Sequence, residues 1–196
     1  MKKYAIFGGT FDPIHLGHVA VAQHVRDALD LDEVIFVPNA RNPLRKAPIA
    51  SVTDRLRMCQ LALLGESGLS VSDIEATRGG ESFTIDTVEE FLLVNPGQIW
   101  LILGADALKS FDQWRDFEKL VRRSRLAVVA RDGIMVESIL RSLPESVEDA
   151  VDMIEMKEVN ISSSKIRDQI HRGNFVGNWL KPEVLEYISE RGIYTS

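Results

Sequence analysis

Short, unbroken apolar runs separated by amphipathic stretches leave a chain few folds to choose from. Tyr4–Phe7, Val34–Val37, Trp100–Leu103 and Leu126–Val129 are such runs, and turn-forming residues follow each of them. The stops are Gly8-Gly9, Pro38-Asn39, Gly104 and Arg131-Asp132-Gly133. Continuous apolar character over so few residues fits strands buried on both faces, as in a parallel sheet covered by helices. Leu69–Ile74 alternates apolar and polar residues and reads as a further strand.

Helical patterns fill the intervals. Gly17–Leu29 puts Val21, Val25 and Ala28 on one face, and Thr53 can cap a helix carrying Leu56, Cys59 and Leu63. Thr84–Val94 is amphipathic through Ile85, Val88, Phe91 and Leu92, and Ser163–His171 and Pro182–Arg191 close the chain. Strands alternating with helices predict right-handed crossovers between parallel strands. The expected architecture is one domain over residues 1–196. It is α/β: a doubly wound parallel sheet with helices on both faces and a C-terminal helical segment. The segment 41–50 is a loop carrying Pro43, Arg45, Lys46 and Pro48, and the acidic stretch Val136–Glu158 reads as a solvated face.

Composition narrows the partners. Lys and Arg number 23 against 29 Asp and Glu, a formal charge of -6. Extended nucleic-acid binding is disfavoured, because phosphate neutralisation supplies most of that affinity. A local cationic pocket for one small phosphate ligand stays open. Cys59 is the single cysteine, which excludes an internal disulfide and a cysteine-rich zinc module. The N-terminal apolar run is too short for a signal peptide, and no stretch approaches the roughly 18 apolar residues of a membrane span. The expectation is a soluble, cytoplasmic protein without a membrane partner.

Ligands of open parallel sheets bind at the carboxyl ends of the strands. The first such end reads Gly8-Gly9-Thr10-Phe11-Asp12-Pro13-Ile14-His15-Leu16-Gly17-His18. Glycines let backbone N–H groups approach a ligand, and a helix start favours phosphate through its free N–H groups and dipole. His15 and His18 lie three apart at that helix start and can point to one place. Two surface histidines on an ordinary turn are the plainer alternative. Neither G-x-G-x-x-G nor G-x-x-x-x-G-K-[ST] occurs, so a hydride-transfer enzyme or a P-loop hydrolase is disfavoured. The two histidines have no evident third metal ligand.

Gly9-Thr10-Phe11-Asp12-Pro13 with His15-x-Gly17-His18 resembles the signature of the nucleotidylyltransferase superfamily. Ile161-Ser162-Ser163-Ser164-Lys165-Ile166-Arg167 resembles its second phosphate motif, although such a serine run in isolation would read as a capped surface helix. Ser162 or Ser163 can cap the helix, with Arg167 one turn in. Four further segments resemble bacterial nicotinate-mononucleotide adenylyltransferases. They are Glu75 and Arg78 leading into Gly80–Thr87, Gly104-Ala105-Asp106, Phe111-x-x-Trp114, and Tyr187-Ile188-x-x-x-Gly192-Ile193-Tyr194.

The resemblance implies a Rossmann-like fold and transfer of AMP from ATP to nicotinate mononucleotide in NAD biosynthesis, with Mg²⁺ accompanying ATP. It implies catalytic roles for His15, His18 and Arg167. Gly8, Gly9, Thr10, Phe11, Gly104, Asp106, Ile161, Ser162 and Ser163 would complete the ATP site. Thr10, Arg45, Lys46, Ser82, Phe83, Thr84, Asp106 and Trp114 would take the nicotinate nucleotide. Trp114 as a core aromatic and Asp106 as a helix cap are the alternatives for those two residues. Two departures from the family pattern stand out: Leu44 where a loop histidine is usual, and Ser164 where threonine is commoner. Two rival readings share parts of the pattern: a pantetheine-phosphate adenylyltransferase-like enzyme and a catalytically inactive pyridine-nucleotide-binding module. Oligomeric state stays open, a homo-oligomer included.

Overall fold

The computed structural model describes residues 1–44, 46–130, 136–157 and 159–195. Arg45 and the Arg131-Asp132-Gly133 stop lie outside the described residues. The first half of the chain runs β1 (Lys3–Gly9), α1 (Leu16–Leu29), β2 (Glu33–Pro38), α2 (Val52–Ala62), β3 (Leu69–Val71), α3 (Ile74–Arg78) and α4 (Thr84–Val94). The second half runs β4 (Gln98–Gly104), α5 (Ala105–Leu108), α6 (Phe117–Arg123), β5 (Arg125–Ala130), α7 (Val136–Leu140), α8 (Glu145–Glu148), β6 (Val151–Glu155), α9 (Ser163–His171) and α10 (Pro182–Arg191). A 3-10 turn at Phe111–Gln113 precedes α6.

Among the described residues the strands form one sheet in the order β3-β2-β1-β4-β5-β6, every neighbouring pair parallel. Strands β2 and β3 step outward on one side of β1, and β4, β5 and β6 on the other. The order therefore reverses between β1 and β4, and the crevice above that reversal is where such sheets bind ligands. Alternate strand residues feed two separate cores. Ala5, Val34, Phe36, Trp100, Ile102 and Ala127 pack with Ala22 and Val25 of α1, Met58 of α2, Ile166 of α9 and Val184 of α10. Tyr4, Ile6, Ile35, Leu101, Leu126 and Val128 pack with Val88 of α4, Leu108 of α5, Leu120 of α6 and Val147 of α8. Period-2 alternation with both faces apolar is the doubly wound arrangement that the sequence predicts.

Several local expectations are corrected. The buried face of α1 is Gly17, Val19, Ala22 and Val25, while Ala28 is exposed. Ser51, not Thr53, caps α2 by accepting from the Asp54 N–H at 3.1 Å. The inward face of α2 is Arg55, Met58, Cys59 and Ala62, one step round from the predicted stripe. The third strand ends at Val71, and Ile74 opens a short helix instead. The acidic stretch is not simply a solvated face: it holds α7, α8 and the edge strand β6. There Asp152 accepts from Trp100 Nε1 at 2.7 Å and from Arg125 Nε and Nη2 at 2.6 and 2.7 Å. The Arg125 hydrogen bonds hold the Asp152 carboxyl below the usual carboxylate range.

Candidate active site

A cleft of about 330 Å³ opens over the β1–β4 reversal, walled by the starts of α1 and α9 and the ends of β4 and β5. His15 is the N-cap of α1 in extended conformation, and the two predicted histidines cap each other reciprocally. His15 Nδ1 accepts from the His18 N–H at 3.3 Å, and His18 Nδ1 accepts from the His15 N–H at 3.2 Å. The arrangement is a capping box built from imidazoles, where Ser or Thr with Glu or Gln is the common pair. Because each Nδ1 accepts, the ring hydrogen of each neutral imidazole sits on Nε2. The rings stack 3.7 Å apart at 21°, and both residues line the cleft.

The glycines around them have distinct uses. A Cβ on Gly17 would come within 3.0 Å of the His15 ring, and one on Gly9 within 2.7 Å of the Phe11 ring. At Gly8 and Gly104 a Cβ would meet nothing within 4 Å. These two strand ends are bare backbone facing open space, the surface a phosphate ligand needs. Phe11 is buried and sits edge-on to His18 at 5.1 Å, so its ring supports the histidine from beneath. Ile161 likewise packs onto the core.

At the second motif, Ser162 is the cap of α9, accepting from the Lys165 N–H at 3.3 Å. Ser163 donates to the Pro13 carbonyl at 2.8 Å and so ties the two motifs together. Arg167 donates to the Asp12 carbonyl at 2.6 Å and to Ser164 Oγ at 3.3 Å, and about a quarter of its side chain is exposed. Ser164 thus keeps a hydroxyl role. Lys157 also lines the cleft; it lies in the acidic stretch and carries no motif signal of its own.

Two residues organise the site from behind: Asp12, which the sequence places in the first motif without a role of its own, and Arg55, which sequence reasoning passed over. Asp12 is buried, and its carboxylate accepts from the N–H groups of Ile49 and Ala50 at 2.9 and 3.0 Å and from the Tyr194 hydroxyl at 2.7 Å. Burial and that bond to Asp12 push the Tyr194 phenol well up, so it stays a donor. Arg55 is fully buried and donates to the carbonyls of Thr10 and Asn39 at 2.7 Å each, Ala50 at 3.3 Å and Ala40 at 3.4 Å. Burial pulls its pKa down and the Asp12 charge opposes that pull. An arginine at an inward position of a helical wheel was the available signal.

Of the remaining predicted residues, Thr10, Ser82, Phe83 and Thr84 lie at the end of β1 and the start of α4, Lys46 on the loop after β2, and Asp106 and Trp114 past the end of β4. Thr10 Oγ1 accepts from Asn39 Nδ2 at 3.1 Å. Ser82 Oγ accepts from the Ala40 N–H at 2.9 Å, which makes it a tether for the 41–50 loop. Leu44 and Lys46 are exposed on that loop, and the Leu44 N–H donates to Asn42 Oδ1 at 2.9 Å. Phe83 precedes α4 and offers no side-chain cap, so the first N–H groups at Thr84 keep their donor capacity. Trp114 leans on Phe111 at 5.2 Å and 41° and is half-buried, between a core residue and a surface. Asp106 is exposed in the four-residue α5 and makes no capping bond, which removes the helix-cap alternative.

Comparison with known proteins fits this geometry. The cytidylyltransferase-like family matches residues 6–169. A protein of Neisseria meningitidis serogroup B named "Probable nicotinate-nucleotide adenylyltransferase" is 36% identical, covering 99% of each chain. One of Bordetella avium with the same name is 38% identical over 99% of this chain and 98% of its own. Among solved structures, the Plasmodium falciparum nicotinic acid mononucleotide adenylyltransferase complexed with NaAD superposes with a TM-score of 0.80 at 22% identity, covering 99% of this chain and 98% of its own. That likeness bears on the fold. The family match, whose span includes both phosphate motifs, and the full-length relatives show that this chain belongs to the cytidylyltransferase-like family, among its nicotinate-nucleotide adenylyltransferases.

Proposed function

We propose that the whole chain acts as one catalytic domain that transfers AMP from ATP to nicotinate mononucleotide, giving nicotinate adenine dinucleotide and pyrophosphate. The observation that carries this reading is the imidazole capping box, which sets His15 and His18 side by side in the lining of a cleft over the strand reversal. A phosphate oxygen of the mononucleotide attacks the α-phosphorus of ATP. The bond from that phosphorus to the α,β-bridging oxygen breaks, and pyrophosphate leaves with the electron pair. The attacking group is already an oxyanion, so no enzyme nucleophile is needed, and catalysis is positioning plus charge stabilisation.

In this reading His18, backed by His15, donates to the α-phosphoryl group as charge develops there. Arg167, Ser162 and Ser163 take the departing phosphates. Gly8, Gly9, Thr10 and Gly104 give the nucleotide close approach to backbone. Asp106 accepts from ribose hydroxyls, Trp114 stacks on the pyridine ring, and the Thr84 region receives the ring carboxylate, with Phe83 beside it. Lys46 pairs with the mononucleotide phosphate, a role the sequence also offers to Arg45. Mg²⁺ would enter on the triphosphate and neutralise its charge. Such an ion keeps much of its water and needs few protein ligands; among the described residues no group of three His, Cys, Asp or Glu is placed to hold a metal ion. No helix among the described residues is long and apolar enough to cross a membrane, and we read the enzyme as cytoplasmic.

The test is pyrophosphate release from ATP with nicotinate mononucleotide, its amide, or phosphopantetheine as acceptor. Release with nicotinate mononucleotide in preference to the other two is expected. Preference for phosphopantetheine would overturn the acceptor assignment, and silence with all three would overturn the reaction. Trp114→Ala should raise KM for the pyridine nucleotide by about tenfold, in line with loss of one stacking contact. A KM change confined to ATP would remove the stacking role.

A further inference from the structure

Beside the start of α4 stands a charged pair, Arg115 with Asp86, to which the roles proposed above assign nothing. Arg115, next in sequence to Trp114, lays its guanidinium over the Phe83 ring, 3.9 Å from the centroid. The same guanidinium donates to Asp86, which stands in the first turn of α4. Both side chains are near the surface, 42% and 37% exposed, so the pair is not a core fastening. Phe83 is also the residue that leaves the start of α4 uncapped. One arginine is therefore held by a ring and a carboxylate, and both of those belong to the helix end that would receive the substrate's ring substituent.

We propose that the Asp86–Arg115 pair sets the preference for an acidic over an uncharged ring substituent in this pocket. The proposal rests on the reading of Thr84 and Trp114 as the pyridine site. A carboxylate on the first N–H groups of α4 gains from the helix dipole but meets a like charge at Asp86 in the same turn. Arg115 cancels that charge, and stacking on Phe83 keeps the cation in place. An amide substituent is indifferent to this balance, because it carries no charge. Asp86 and Arg115 thus act with opposite signs on one quantity, the acid-to-amide ratio of kcat/KM.

The experiment measures that ratio for the wild type, Arg115→Gln, Asp86→Asn and the double variant, with nicotinate mononucleotide and its amide as acceptors. Arg115→Gln should lower the ratio about fivefold and Asp86→Asn should raise it about threefold, the range expected for single exposed charges. The double variant should return near the wild-type ratio. A ratio that stays fixed in both single variants, or falls in both, overturns the pair's role while leaving the reaction intact. Equal loss with both acceptors, accompanied by a lowered Tm, makes the pair merely structural and also overturns it. A wild type that adenylylates neither acceptor overturns the pyridine-site reading itself.

Discussion

Asp12 lies just past the end of β1 and Asp152 near the start of β6, and each gathers donors from segments distant in sequence. At the amino end of the sheet, Asp152 takes a two-pronged bond from Arg125 of β5 and an indole N–H from Trp100 of β4. It fastens three strands and spends the arginine doing so. At the carboxyl end, Asp12 is satisfied by two backbone N–H groups and a phenol, and Arg167 stands 3.8 Å from its carboxylate. The cation at that end is positioned through a carbonyl and keeps much of its charge for a ligand. Two carboxylates with similar reach thus serve different ends: one closes structure, the other arranges a cation without cancelling it.

The contrast can be broken most forcefully at Asp12. Asp12→Ala leaves buried Arg55 without its opposing charge and frees the 49–50 backbone, so stability should fall by about 3–5 kcal/mol, read by denaturant unfolding. His18→Ala should cut turnover by about 10²–10³, as loss of an oxyanion-type donor does. Its stability should fall by no more than the worth of one cap, about 1 kcal/mol. A larger stability loss would mark the box as chiefly structural. Asp152→Asn should cost about 1 kcal/mol and leave turnover unchanged; a drop in turnover would show that the two ends are coupled.

The smallest effect is in acid. Because its folded pKa is depressed, Asp152 stabilises fully above its unfolded value of about 4, and the contribution fades as pH falls through the folded value. Unfolding curves of wild type and Asp152→Asn should therefore converge below about pH 4.

What could be read in advance follows the strength of local periodicity. Thr84–Val94, Ser163–His171 and Pro182–Arg191 match the observed helices end to end, because each has enough turns to display its stripe. The helices α5 to α8 run between four and seven residues, too short for a 3.6-residue period to register. Strand β6 buries only Ile154 fully, so an edge strand amid acidic residues carries almost no apolar signal. The cap of α2 was misplaced because its start depends on where Asp12 pins Ile49 and Ala50, a contact across 37 residues. The same distance problem hid Arg55. His15 and His18 were legible as a pair, but their reciprocal bonding is a property of folded geometry.

Arg55 carries a consequence beyond holding loops together. A trans peptide points its C=O and the next N–H in opposite directions. By drawing the Thr10, Asn39, Ala40 and Ala50 carbonyls toward itself, the guanidinium turns the following amides away from it. The Ala40 N–H, which reaches out to Ser82, shows the sense of that rotation. One hidden cation thereby gives the surrounding turns a common polarity, with oxygens inward and hydrogens outward. A net-acidic protein can in this way offer anions a welcoming rim while its most organising positive charge never meets the solvent.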